Sequence, residues 1–381
     1  MVNRLIFRWL KYIILLNTFI VLILLYSTIR KRNDEYSVLP ARAVPDQNFQ
    51  HPQTYGINSS SIGVTDISIP NVNATNMYVI DFGNETRFNF GELLNLLKTP
   101  WKNNISYILQ FRHDLSSFTE SLRMLFVTKE STKLGSKLQY VWTKYGKVTI
   151  NHVIFKYLPK NSPFTGNYTR CSLVGNSGIL TNSRCGSDID KSDFIIRCNA
   201  PPIKAFAEDA GKKSNLTTVN PSILRRTYNK LRTRKDHWKY LNGMLQYNMH
   251  LWLPTFAANY NVDLCLRADR MMKTSKKYPV HILHGHPQHF TEVMNFWKQR
   301  GINKSITTGF YMTNLALQLC NEVHLYGFWP FHVDLYNKEV PYHYFDDTQL
   351  GIGKTFHNIS SEFKALLELH KAGALRLHLR C

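Results

Sequence analysis

The chain has 381 residues, of which 44% are apolar and 13% aromatic. This composition is enough for a large buried core and excludes general disorder, and the length suits one globular core once terminal segments are set aside. A formal net charge of +21 predicts an anionic partner, for which nucleic acid, a membrane surface, an anionic polymer and a small anionic substrate all qualify.

The first predicted element is a membrane anchor. Residues 12–29 read YIILLNTFIVLILLYSTI, an apolar run without a charged side chain. At about 1.5 Å of rise per residue, a helix of this length just spans a thin bilayer. No small-residue cleavage site follows, which favours a retained signal anchor over a removed signal peptide. We expect a cytosolic tail over residues 1–11, the transmembrane anchor over 12–29, a luminal stem over 30–86 and a folded domain over 87–381.

Glycosylation sequons indicate that everything beyond the anchor is luminal. Asn-x-Ser/Thr triplets begin, all C-terminal to the anchor, at Asn58, Asn73, Asn84, Asn104, Asn167, Asn215, Asn303 and Asn358. In that oxidising compartment the six cysteines are disulfide candidates, and none shows the Cys-x-x-Cys spacing of a zinc site. A luminal body argues against nucleic acid as the anionic partner.

The patterns that follow the stem predict an α/β fold. Apolar residues at helical spacing predict helices over 91–98 and 105–126 that pack over the core. Short apolar runs predict strands at 172–174, 194–196 and 323–326, with a helix from 308 to about 321 before the last of them. Repeated βα units indicate a mainly parallel sheet flanked by helices, with ligands at the carboxyl ends of its strands.

A glycine-containing turn, Gly175-Asn176-Ser177-Gly178, follows the first of these strands. Such a turn lets backbone N–H groups approach a phosphate, and the Asn176 side chain adds an amide donor and acceptor. Taken alone the pattern is weak, because a glycine turn after a strand is more often only a turn.

Four segments together resemble the motifs of animal sialyltransferases. Residues 171–220 resemble the large sialylmotif, and residues 307–331 resemble the small one. The sequence HYFD from His343 is similar to the third motif, and His357 with Glu362 is similar to the very small His-x4-Glu motif. The sequences CSLVGNSGIL, NPS from Asn220 and LYGFWPF, with the terminal cysteine, most resemble the α-2,8-sialyltransferases, which use a sialic acid as acceptor.

The resemblance implies a GT-A-like fold variant in the Golgi membrane and transfer of sialic acid from CMP-sialic acid to a sialylated glycan of a glycoprotein or glycolipid. It implies no metal or other cofactor. His357 would be the catalytic base, and His343 would sit against the donor phosphate. The donor-binding residues would be Asn176, Ser177, Gly178, Asn199, Asn220, Thr307, Thr308, Gly309 and Trp329. A homo-oligomer, and the addition of one sialic acid or many, both remain open.

The resemblance also pairs Cys171 with Cys320 and Cys185 with Cys381, and leaves Cys198 and Cys265 as thiols. The tail from residue 375 to 381 alternates between leucine and polar residues. If it forms a strand, Cys381 lies on the same buried face as the three leucines.

The chemistry of His357 supports its assignment as the base. Removing a proton from a sugar hydroxyl near neutral pH requires a group that titrates in that range, as histidine does. A helical pattern begins directly after His357, and the dipole at a helix N-terminus disfavours a protonated ring. A single histidine near a helix start is more often structural, and only the accompanying motifs reverse that interpretation.

Three other interpretations compete with this one. Asp188 and Asp190 form an Asp-x-Asp pair that would hold a cation in a metal-dependent glycosyltransferase, although a helix start or a surface pair is favoured. A catalytically inactive lectin or heparin-binding protein on the same fold is the second. The third is a metal site at four clustered histidines: His281, His284, His286 and His289. Their spacing gives no regular face for four ligands, so a solvated loop is favoured.

A basic stretch flanks these histidines and indicates either a solvated face or a track for an anionic polymer. Its members are Arg267, Arg270, Lys273, Lys276, Lys277, Lys298, Arg300 and Lys304.

Overall fold

The computed structural model describes residues 79–81, 87–119, 124–143, 145–164, 166–247, 249–275, 280–346 and 357–381. All of them lie in one compact unit, Val72–Cys381. The predicted tail and anchor lie outside the described residues. No helix within the described ranges is both long and apolar enough to cross a bilayer.

Eleven strands are found in the described ranges. They are β1 (Val79–Asp81), β2 (Arg87–Asn89), β3 (Lys137–Gln139), β4 (Lys147–Thr149), β5 (Tyr168–Val174), β6 (Phe194–Arg197), β7 (Leu216–Thr218), β8 (His250–Leu253), β9 (His281–His284), β10 (Cys320–Tyr326) and β11 (Arg376–His378). β1 pairs with β2, so pairing begins at Val79, inside the segment assigned to the stem.

The same ranges hold eleven α-helices, most of them between strands. They are α1 (Phe90–Lys98), α2 (Ile105–Ser116), α3 (His152–Tyr157), α4 (Gly186–Ile189), α5 (Ala207–Ala210), α6 (Pro221–Arg226), α7 (Arg234–Met244), α8 (Asn259–Thr274), α9 (Pro287–Lys298), α10 (Thr308–Leu319) and α11 (Ile359–Lys371). Short 3-10 turns cover Gly178–Leu180, Lys204–Phe206 and Asn229–Leu231.

Seven strands form one sheet in the order β11-β10-β5-β6-β7-β8-β9, and every neighbouring pair is parallel. The predicted mainly parallel sheet flanked by helices is therefore confirmed. The predicted strands at 172–174, 194–196 and 323–326 lie within β5, β6 and β10. α10 is buried nearly all round, which is why its sequence is apolar on every face.

One helix prediction was too long. α2 ends at Ser116, and Phe126 instead makes an isolated antiparallel bridge to Gly285 and is fully buried. The spacing of apolar residues does not show where a helix ends when a buried extended segment follows it.

Both disulfides implied by the resemblance are present. Cys171 in β5 is bonded to Cys320, the first residue of β10, so the bridge joins two adjacent parallel strands. Cys185 is bonded to Cys381. The side chains of the two thiols, Cys198 and Cys265, are buried.

The prediction for the C-terminal tail was right about its leucines and wrong about its last residue. Leu375, Leu377 and Leu379 are buried, but β11 ends at His378 and Cys381 is exposed. β11 ends before Cys381, whose position is fixed by its disulfide to Cys185 and by the ion pair of the preceding Arg380 with Asp334.

Candidate active site

The direction in which the chain builds its sheet locates the site. From β5 the chain adds β6 to β9 on one side, then returns to place β10 on the other side of β5. The connections therefore diverge at the carboxyl ends of β5 and β10, where Gly175 and Gly327 follow the strands. Such a divergence point is where parallel α/β sheets bind ligands.

A row of polar side chains crosses these carboxyl ends. Asn176 Nδ2 donates to the Cys198 carbonyl over 2.9 Å, and the Asn199 side-chain oxygen accepts from the Asn220 backbone N–H over 3.2 Å. Thr308 Oγ1, in the first turn of α10, donates to Asn220 Oδ1 over 3.2 Å. The structure thus brings together four of the residues predicted to bind the donor.

Two features of this row indicate that it is kept for a ligand. Asn176 Oδ1 is buried and has no hydrogen-bond partner among the residues that the structure describes. Asn199 and Ala200 have φ values of 62° and 48°, a left-handed conformation that non-glycine residues rarely adopt. Buried unpaired acceptors and strained backbone are both concentrated at functional sites.

Three backbone N–H groups of the glycine turn are used within the protein, and the role of the turn in binding the donor stays a prediction. The N–H groups of Gly175, Ser177 and Gly178 donate to the carbonyls of Tyr326, Gly327 and Pro341. A Cβ added at Gly175 or Gly178 would overlap a carbonyl oxygen of another segment. These glycines are needed because backbones pack closely here, and their N–H groups are already used.

His343 lies on a loop that packs onto this turn. The N–H of Tyr344 donates to the carbonyl of Asn176, the first residue of the polar row. His343 therefore lies next to a residue that is hydrogen-bonded to this row. The His343 ring stacks on Phe345 at 4.8 Å between centroids, and its Nδ1 lies 3.0 Å from an Asp346 carboxylate oxygen. A carboxylate at Nδ1 fixes the ring orientation.

His357 is held against the segment that leads into α10. Its backbone pairs with Ser305, and its Nδ1 lies 2.8 Å from the Ser305 carbonyl oxygen. Because a carbonyl only accepts, Nδ1 carries the hydrogen of the neutral ring and Nε2 carries the lone pair. Burial lowers the pKa of His357 below its ordinary value, although the bond to Ser305 acts in the opposite direction. The ring is therefore neutral and basic near neutral pH.

Glu362 joins the helix after His357 to the start of α10. Its carboxylate accepts from the Thr307 backbone N–H over 2.7 Å and from Thr307 Oγ1 over 2.6 Å. Thr307 Oγ1 in turn accepts from the Phe310 N–H and caps α10. Thr307 and the neighbouring Gly309 therefore have fixed positions at the N-terminus of a buried helix.

Trp329 is placed in the core. Its indole is 4% exposed, packs edge-on against Phe331 and Phe363, and donates from Nε1 to the Val333 carbonyl. These contacts are structural, and a wall for the donor pocket stays a prediction.

The two aspartates of the Asp-x-Asp pair have protein partners. Asp188 accepts from Tyr326 and Arg170, and Asp190 accepts from the backbone N–H groups of Lys212 and Lys213. Burial alone would raise the pKa of Asp188, but the Tyr326 hydrogen bond and the Arg170 charge lower it below its ordinary value. Asp188 lies in α4, as the helix interpretation expected.

One group in the described part of the chain has the spacing of a metal site: Asp188, His378 and Cys381. Cys381 is in a disulfide and has no thiolate to offer, so this group does not match a metal site.

The interpretation of the four histidines as a solvated loop was wrong for three of them. His284, His286 and His289 are at most 2% exposed, because β9 and α9 carry them into the interior. His284 bonds Thr255 and Asp269, and His289 bonds the Tyr311 hydroxyl. Burial lowers the pKa values of His286 and His289 to about 4.

The described members of the basic stretch lie on α8 and at or beyond the end of α9. On α8, Arg267 binds Asp263 over 2.5 Å, and Lys273 binds Asp269 over 3.1 Å. Lys298 ends α9. Part of the stretch therefore has local partners within its own helix.

A cleft opens beside His357 at the carboxyl ends of β7, β8 and β9. Asn220, Thr308 and His357 line it together with Trp142, Arg225, Trp252, Pro254, Tyr260, Asn261, His286 and Phe290. Sequence analysis did not single out Arg225 or Trp142, because neither lies in a recognisable spacing. The cleft has a volume of about 450 Å³, which is large enough for a sugar next to the base.

Glu362 is expected to make stability depend on pH. Burial raises its pKa to about 7 from 4.5, although the bonds from Thr307 act against this. The folded state therefore holds the proton more tightly, and stability falls as pH rises from about 4.5 to 7. The Glu362→Gln side chain cannot ionise. The free energy of unfolding of the wild type should therefore fall by roughly 3 kcal/mol relative to this variant between about pH 4.5 and 7. Denaturation of both proteins at several pH values measures the difference, and parallel curves would contradict it.

Asn358 is expected to be unglycosylated in active enzyme. Its side-chain oxygen caps α11, accepting from the Ser361 N–H over 3.2 Å and from Ser360 Oγ over 2.8 Å, and it directly follows His357. A branched glycan there would block the approach of an acceptor. Glycopeptide mapping should find Asn358 empty, with the exposed Asn167 and Asn303 as comparison sequons. High occupancy at Asn358 in an active preparation would contradict the placement of the base.

A parallel sheet with polar side chains across its carboxyl ends, next to a cleft that holds a neutral histidine, is typical of an α/β enzyme. The sequence model of glycosyltransferase family 29 (sialyltransferase) matches residues 126–374, and the chain belongs to this family. It is a CMP-sialic acid-dependent glycosyltransferase that acts on a glycan acceptor.

Its relatives include three proteins named as α-2,8-sialyltransferases. Human alpha-2,8-sialyltransferase 8E is 36% identical over 293 residues, covering 76% of this chain and 77% of that protein. The alpha-N-acetylneuraminide alpha-2,8-sialyltransferase of Xenopus tropicalis is 36% identical, covering 73% and 80%. Mouse alpha-2,8-sialyltransferase 8F is 34% identical, covering 75% and 71%. A crystal structure of a mammalian sialyltransferase aligns at 20% identity with a TM-score of 0.40, covering 77% of this chain and 85% of that one.

Proposed function

We propose that this enzyme forms an α-2,8 linkage between sialic acid and the terminal sialic acid of a glycolipid or glycoprotein glycan. The names of the three relatives support the linkage. The observation that carries the chemistry is the bond from His357 to the Ser305 carbonyl, which fixes the neutral tautomer at the edge of the cleft.

In this mechanism His357 acts as the base. Nε2 takes the proton from an acceptor hydroxyl, and the hydroxyl oxygen attacks the anomeric carbon of the donor sialic acid. The bond from that carbon to the phosphate oxygen breaks, and CMP leaves from the opposite face. An in-line displacement of this kind inverts the anomeric configuration.

On the donor side, the row of polar side chains binds CMP-sialic acid. Asn176 Oδ1 accepts a hydrogen bond from the nucleotide, and Asn199, Asn220 and Thr308 form the adjoining surface. His343 stabilises the negative charge that develops on the leaving phosphate. Since a monophosphate leaves with less charge than a diphosphate, a histidine and amide donors replace a metal ion.

We further propose that the protein is a single-pass type II protein of the Golgi membrane with its catalytic domain in the lumen. The apolar run over residues 12–29 and the sequons beyond it support this topology. The two disulfides fit an oxidising compartment.

Incubation of the full-length enzyme with CMP-sialic acid and a panel of sialylated and asialo acceptors tests the proposal. We expect transfer to sialylated acceptors, with the same rate in EDTA. Loss of activity in EDTA that added Mg²⁺ or Mn²⁺ restores would instead favour a metal-dependent mechanism. Binding of glycans without hydrolysis of CMP-sialic acid would favour the inactive lectin.

A further inference from the structure

The cleft beside His357 carries an uncompensated positive charge. Arg225 of α6 is the one arginine or lysine among its described lining residues, and no described lining residue is acidic. The side chain is half-buried. It also lines a neighbouring pocket with Asp263, whose carboxylate is ion-paired with Arg267. Its described contacts are both with neutral groups, because Nη2 donates to Asn261 Oδ1 over 2.8 Å and the guanidinium lies 5.1 Å from the ring centroid of Tyr260.

These contacts orient Arg225 without neutralising it. A guanidinium has five N–H donors, and the bond to Asn261 uses one of them. The amide and the aromatic ring hold the plane of the group, so less rotational freedom is lost when a ligand binds. A planar anion that accepts two parallel hydrogen bonds, such as a carboxylate, matches this arrangement.

The rest of the cleft suits a sugar. His357 lies on one side of the cleft, next to Asn220 and Thr308, which belong to the proposed donor-binding row. Trp142 and Phe290 form an aromatic wall, with their ring centroids 5.6 Å apart. The cleft thus offers a charged group for a carboxylate, an aromatic wall for a sugar ring and a base for a reacting hydroxyl. A carboxylated sugar requires all three.

We propose that Arg225 binds the carboxylate of the acceptor's terminal sialic acid, and that this contact makes the enzyme prefer sialylated to asialo acceptors. The inference rests on the proposed function and assigns its acceptor specificity to one residue. In sialic acid the carboxylate and the exocyclic hydroxyl chain belong to the same sugar. Holding the carboxylate at Arg225 therefore restricts which hydroxyl reaches His357.

The test compares acceptors with and without the charge. Wild-type enzyme, Arg225→Gln and Arg226→Gln are assayed with α-2,3-sialyllactose, with its carboxyl methyl ester and with lactose. Arg226 is the matched control, because it lies on the same helix, is exposed and does not line the cleft. The KM for CMP-sialic acid and its hydrolysis without acceptor report on the donor half separately.

We expect Arg225→Gln to raise the KM for sialyllactose by about 10- to 100-fold, the range for a hydrogen-bonded charge pair. Methylation of the acceptor should raise the wild-type KM by a similar factor and should have little further effect on Arg225→Gln. The KM for CMP-sialic acid should stay within about twofold. Arg225→Lys should recover part of the loss, because it keeps the charge without the planar fork.

Equal use of sialyllactose and its ester by the wild type would overturn the inference. So would an Arg225→Gln variant with an unchanged KM for sialyllactose. In both cases α-2,8 transfer itself would stand. A wild-type enzyme that sialylates lactose and not sialyllactose would overturn the proposed function, and the role of Arg225 with it.

Discussion

Replacing His357 with alanine is expected to lower turnover by about two to four orders of magnitude while leaving CMP binding nearly unchanged. Alanine removes the lone pair at Nε2 that the bond to Ser305 makes available for proton abstraction. The donor contact proposed for Asn176, and the hydrogen bonds that join Asn199, Asn220 and Thr308, do not involve the His357 side chain, so the nucleotide should bind as before. The exposed His332 provides a matched control, since His332→Ala removes a histidine outside the cleft.

Steady-state kinetics and calorimetric titration with CMP measure the two halves of this prediction. The pH dependence adds a third readout. Because the pKa of His357 lies below its ordinary value of 6.5, wild-type kcat/KM should hold as pH falls to about 6.5 and decline only below it. Near-wild-type turnover in the alanine variant would remove the assignment of the base. Loss of CMP binding would show that His357 has a structural role.

Replacing Cys381 with serine, or deleting it, is expected to abolish secretion or activity. The Cys185 to Cys381 bridge closes a loop of 196 positions, which contributes about 5 kcal/mol in the chain-entropy description. This is comparable to the net stability of a whole domain. Because Cys381 is exposed and lies beyond β11, the disulfide is its main attachment. Its loss should release the tail and disturb α11, which follows His357.

The double variant Cys185→Ser with Cys381→Ser is the control for this prediction. If the bridge alone matters, the double variant should be no less stable than either single one. Expression level, thermal unfolding and activity give the readouts. Normal secretion and full activity of the one-residue truncation would show that the bridge is dispensable.

The central strands and disulfides could be predicted because their signals are local or specific to the family motifs. β5, β6 and β10 each contain a short, mainly apolar run, over residues 171–174, 194–197 and 323–326, that is buried throughout. The glycine turn was located from the sequence, but the contacts that require its glycines were not. The sequence shows only that Gly175 and Gly178 leave room for another group. The fold shows that the group is the backbone of other segments of the chain.

The buried histidines and the cleft could not be predicted for a different reason. His284 and His286 are two residues apart, and their burial depends on Thr255, Asp269 and α9 packing around them. Arg225 becomes part of a site only because β7 ends next to β8 and β9. Contacts between distant segments leave no periodic signal in the sequence.

Linkage analysis of the product tests the account most directly. The full-length enzyme is incubated with CMP-sialic acid and α-2,3-sialyllactose, and the trisaccharide core with its new residue is examined by NMR and methylation analysis. We expect each new bond to have the α configuration, inverted from the donor, and to join the O8 hydroxyl of a sialic acid. Retained configuration, or a new bond to a galactose hydroxyl, would contradict this expectation.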